Sequence, residues 1–138
     1  VALTRNTIID AIVTRVAAVS GVRNVTRRVR DFSFSEMPAV LVVSDSQTAG
    51  ANPADPALWR LTLKLLVYVH DASQAGPSAP LHDFLDAIEA ALEPAPGQPA
   101  NTLGGLVADA RIDGTVTIDD QLGDVAVAEV PVVITAIP

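Results

Sequence analysis

The chain has 138 residues, a mass of 14.3 kDa, 49% hydrophobic residues and a net charge of −7. This length supports one ordinary core, the apolar share is too high for a disordered chain, and the acidic balance disfavours gripping duplex DNA. The absence of cysteine excludes disulfides and thiolate metal sites; no apolar run nears the roughly 20 residues of a membrane span; and Val1–Asp10 lacks the charged-then-apolar layout of a signal peptide.

Residues 4–19 predict an amphipathic helix. Ile8, Ile9, Ile12, Val13, Val16 and Val19 recur at three- and four-residue steps, with Arg5, Asp10 and Arg15 off that stripe. Gly21 supplies a left-handed stop. Val22–Arg30 mixes valine with arginine and predicts an edge strand, where charge discourages stray pairing. Ala39–Ser44 is a short apolar strand. Asp45–Ala57 carries Gly50, Pro53 and Pro56 and predicts a long loop.

Leu58–His70 is the clearest strand. Trp59, Leu61, Leu63, Leu65, Val67 and Val69 alternate with Arg60, Thr62, Lys64, Leu66, Tyr68 and His70, so one face is buried and the other mostly wet. At about 3.3 Å per residue it spans roughly 40 Å, enough to project as a hairpin arm or to cross a subunit boundary. After a turn over 71–80, a second helix is predicted at 81–93, with Leu81, Phe84, Leu85, Ile88 and Leu92 on one face. Asp83, Asp86, Glu89 and Glu93 take the other. Ser78 is the expected cap, and Pro80 fits the first turn.

Pro94–Pro99 ends that helix, and Thr102–Ala108 has room for one more helical turn. Strands over 109–118 and 124–137 then predict a hairpin through Gln121–Asp124. Pro131 marks an edge or an interrupted ladder. The expected fold is α+β, a single domain over 1–138: a mostly antiparallel sheet with two main helices packed on one face.

Catalytic signals are scarce. The phosphate-binding, dinucleotide, zinc-protease and nucleophile-elbow motifs are all missing. Gly104-Gly105 is too short to cradle phosphate, and His70 and His82 read as two surface histidines. Ser44-Asp45-Ser46 has no local histidine and reads as a turn. Asp113, Asp119, Asp120 and Asp124 fail the spacing of a calcium loop, so an acidic patch meeting a basic neighbour is the better reading.

The charge itself is unevenly divided. Six of nine basic residues fall in the first thirty positions with a single acid, +5 in all, and the remainder carries three basic and fifteen acidic residues, −12. Such a split favours head-to-tail attraction between identical copies, which closes into rings or runs on as filaments. The expected subunit contact sets Arg23, Arg27, Arg28 and Arg30 against Asp119, Asp120 and Asp124. A contact with another structure is expected in the 45–57 loop, at Asp45, Gln47, Asn52 and Asp55.

The order of parts carries a resemblance. A helix leads to Glu36-Met37-Pro38-Ala39-Val40-Leu41-Val42-Val43, then a loop, then the Trp59-Arg60-Leu61-Thr62-Leu63 strand. Leu81-His82-Asp83-Phe84-Leu85 opens a helix, and the acidic Asp119-Asp120 turn leads into Val125–Ile137 with its Val-Ile-Thr. From Thr4 to Ile137 this resembles the tail terminator proteins of long-tailed bacteriophages, the family of the minor tail protein U of lambda-like phages.

That resemblance implies an α+β protomer in a hexameric ring on the head-proximal end of the tail tube. The ring would stop tube polymerisation and meet the head connector or neck protein. DNA would pass through the lumen without sequence-specific binding. It implies a virion protein made in the host cytoplasm, with no enzymatic step, no cofactor and no membrane. The 45–57 residues would then face the tube or connector. Other readings stay open: a head-completion or connector adaptor ring, a small ligand-binding or hydrolytic α+β domain, and a nucleic-acid module resting on the four arginines.

Overall fold

The computed structural model describes residues 4–50 and 58–137, with Gln121 and Leu122 described in backbone only. Eight elements follow in chain order: α1 (Arg5–Ala17), β1 (Asn24–Thr26), β2 (Ala39–Ala49), β3 (Trp59–His70), α2 (Ser78–Ala91), β4 (Asp109–Ile112), β5 (Thr117–Leu122) and β6 (Val125–Ala136). The strands form one sheet in the order β1-β2-β3-β6-β4, with β5 also paired to β6. Every pairing is antiparallel except β1 with β2. The architecture is α+β, as expected.

Periodicity explains the layers. In β3, Leu61, Leu63, Leu65, Val67 and Val69 are buried, and in β6 Ala126, Ala128, Val130, Val132, Ile134 and Ala136 match them. Both sets point to one face. Ile8, Ile9, Ile12 and Val16 of α1 and Leu81, Phe84 and Ile88 of α2 close over it in a single core. Helix α1 packs on β1 and β2, and α2 on β3 and β6. Among the described residues the other face of the sheet carries no α-helix, and the residues between β1 and β2, with a short 3-10 turn at Phe34–Glu36, reach it: Phe32 packs on Tyr68 and Phe34 stacks on His70 at 4.2 Å.

Six expectations need correction. The strand expected over 22–30 is three residues long, because the Thr26 hydroxyl accepts from the Arg28 N–H and turns the chain. Residues 45–49 are strand, not loop: β2 continues past a bulge at Asp45 and pairs with β3 as far as Ala49↔Trp59. Cross-strand pairing outweighs the polar composition of Ser44–Thr48. Of the rest of the predicted loop, Gly50 leaves the strand and donates to the Leu58 carbonyl, and 51–57 lie outside the described residues. β3 itself does not project, since β2 and β6 flank it from Trp59 onward.

The strand expected over 109–118 is two strands, broken at Asp113–Val116. Pro131 explains the break. Its carbonyl accepts from Asp113 N, so its missing N–H faces the same edge, and no strand can pair there without losing a bond. The expected helical turn over 102–108 is absent because Leu103, Gly104 and Gly105 all adopt positive φ. Ser78 is not the cap of α2. Pro77 holds that position, and the Ser78 hydroxyl instead donates to Asp120 Oδ2 at 2.8 Å.

Candidate assembly interface

The four expected interface arginines gather at one edge of the sheet because Arg23 immediately precedes β1 and Arg27, Arg28 and Arg30 lie on the segment that leaves it. Arg27 donates to Asp10 and Asn6 of α1, each at 3.1 Å, on the helix side. Phe32, five residues on, packs against Tyr68 on the opposite face. The residues between them therefore round the β1 edge as a corner. Arg30 pairs with Glu36 and lies 4.9 Å over the Phe32 ring, and Arg23 donates to the Ser35 carbonyl. Arg28 has no side-chain partner among the described residues.

The expected acids lie at the far edge, on β5 and its turn, but not as one patch. Asp119 pairs across from Val127 on the helix-free face. Asp120, one residue on, faces the start of α2 through Ser78. Asp124 sits in the turn, where its carbonyl accepts from Asp71 N. Alternation along β5 separates neighbours onto opposite faces. Three acids close together in sequence thus lie on three different surfaces.

A larger acidic surface stands next to them. Asp83, Asp86 and Glu89 are exposed on α2, and Asp113 is exposed in the β4–β5 connection. Charge consequently divides across the sheet, with α1 and the residues flanking β1 basic, and α2, the β4–β5 connection and β5 acidic. The uneven split of charge along the chain becomes a split in space because the sheet places β1 at one edge and β4 and β5 at the other, with β6 between them and β3.

The expected tube contacts divide as well. Asp45 is 3.8 Å from Lys64, and Gln47 accepts from Arg5 at 2.6 Å. Asn52 and Asp55 lie outside the described residues. Lys64 also reaches Glu129 at 2.7 Å, so one ammonium ties β2, β3 and β6 together on the helix-free face. Its two carboxylates, Glu129 first, raise the Lys64 pKa above the ordinary 10.5. Arg5 lies 4.9 Å over the Trp59 ring. Sequence reasoning found neither arrangement, since nothing local links residues that only the folded sheet brings together.

Chemistry finds little purchase among the described residues. No three His, Asp or Glu side chains converge as a metal-holding group, and no buried polar side-chain atom lacks a partner. His70 is stacked on Phe34, and His82 is exposed on α2. A depression of about 260 Å3 between Arg60 and Arg111 contains both signs of charge, and Asp109 already engages Arg111, raising its pKa. No helix among the described residues is long and apolar enough to cross a membrane.

No protein-family model matches the chain, and no curated protein does. Among solved structures, the chain is similar to one in a structure described as "Virion of native gene transfer agent (GTA) particle". The two are 12% identical, superpose with a TM-score of 0.58, and each is covered over 95% of its length. They share the fold.

Proposed function

We propose that this chain is a structural virion protein, a tail terminator that closes as a hexameric ring on the head-proximal end of a phage-type tail tube. One terminator-like domain spans 1–138. The observation that carries the reading is the division of charge between opposite sheet edges. Unlike edges on one body make a heterologous contact, and a heterologous contact with the right rotation closes a ring. The shared fold with a virion chain supports the same reading, as does the order of parts from Glu36-Met37-Pro38 to Val125–Ile137.

The ring would carry no reaction. Its partners would be its own copies, the tail tube protein and a head connector or neck protein, with DNA passing through an acidic lumen that does not hold phosphate. A head-completion adaptor has the same ring logic, and a virion neighbour fits it equally. Growing tail tubes separate the two. Added to polymerising tube protein, a terminator caps one end and arrests elongation, and it is retained on isolated headless tails. Tubes that elongate unchanged and stay undecorated contradict the terminator reading.

A further inference from the structure

We propose that the ring contact is a plug in a groove: the Arg28–Val29 corner of one copy seats between α2 and the β4–β5 edge of the next. The inference rests on the ring reading above and specifies which surfaces meet.

The groove lies on the helix side of the acidic edge and encloses about 290 Å3. Leu85 and Ile88 of α2, Ile112 of β4 and Val116 of the β4–β5 connection give it an apolar lining. Val116 is 37% exposed, so the apolar surface opens outward instead of being sealed by the fold. Asp86 and Glu89 line it too, and neither has a cationic partner among the described residues. The break at Asp113–Val116 shapes this opening, since an unbroken strand there would continue the sheet edge.

The corner has the complementary chemistry. Val29 is 76% exposed, the most of any large hydrophobic residue described. Arg28 beside it has an unengaged guanidinium, whereas Arg27 and Arg30 are tied back to Asp10 and Glu36. Those two ties anchor both ends of the corner and present Arg28 and Val29 outward. An apolar side chain with a free cation thus matches an apolar groove with two free carboxylates.

Position decides the occupant. The β1 edge and the β4–β5 edge are four inter-strand steps apart, about 20 Å. A corner cannot reach the groove of its own chain, but the groove of a second copy accepts it, and that copy's corner remains free for a third. The contact is heterologous and propagates. Burying one valine side chain and desolvating one arginine between two acids makes Val29→Asp raise the assembly concentration by about tenfold or more.

The cysteine-free sequence allows a clean test. The double variant Val29→Cys with Val116→Cys is assembled, alone at high concentration or on tail tubes, and then oxidised. The expected result is a non-reducing ladder reaching hexamer, while Val29→Cys with Thr62→Cys on the helix-free face stays monomeric. In a second arm, Arg28→Glu and Glu89→Arg each weaken assembly by about tenfold, and the two combined in one chain restore it. If the wild-type protein forms rings while the 29/116 pair stays uncross-linked and Val29→Asp assembles normally, the plug is overturned and the ring stands. A wild-type chain that neither self-associates nor caps tubes removes the ring, and the plug with it.

Discussion

Asn101 is buried to 3% exposure and uses every group it has. Its side-chain amide donates to the Leu92 carbonyl at 3.0 Å, and its side-chain oxygen accepts from Leu103 N at 3.3 Å. Its own N–H donates to Asp109, and its carbonyl accepts from Ala110 N. One residue thereby joins the end of α2, the left-handed turn and β4, where the acidic edge begins. Asn101→Ala strands a buried carbonyl and a buried N–H, and is expected to cost about 1–3 kcal/mol. A lower urea midpoint with an unchanged slope checks it; an unshifted midpoint would show that water replaces the amide without loss. Nothing in the sequence marks Asn101, because a polar residue after Pro99-Ala100 reads as loop. Gly114 was equally hidden: its φ of +121 and the 3.1 Å from a would-be Cβ to Pro131 matter only once β6 lies alongside.

Strands β3 and β6 and both helices were legible as sequence, since each repeats its apolar residues at its own period over twelve or more positions. The short strands were not. β1, β4 and the outer half of β2 exist because a neighbour offers hydrogen bonds, which composition does not announce. Lys64 illustrates the consequence, as its partners Asp45 and Glu129 come from strands on either side. Its pKa is raised in the folded chain, so its contribution is fully present below the unfolded value of 10.5 and is lost as pH rises through the folded value. The stability difference between wild type and Lys64→Met is therefore expected to hold through neutral pH and to shrink only above 10.5. A difference that fades near neutrality would point to another group.

Charge is the feature that survives every step from sequence to assembly. The split between the first thirty residues and the remainder was visible at once, and the sheet turns it into two unlike edges. The particular pairing was less visible. Alternation scatters Asp119 and Asp120 onto different faces, and Arg23, Arg27 and Arg30 are committed within the chain, which leaves Arg28 as the one of the four expected arginines without a side-chain partner among the described residues. Charge reversal at Arg28 thus acts on assembly with little effect on the monomer, whereas reversal at Arg27 also breaks its ties to α1. Negative-stain imaging of the purified protein at high concentration, alone and with tail tubes, read alongside its solution mass, decides whether these edges meet. Sixfold rings of roughly 86 kDa, six times 14.3 kDa, or caps on one end of each tube are the predicted result. A strict monomer that never decorates a tube would contradict it.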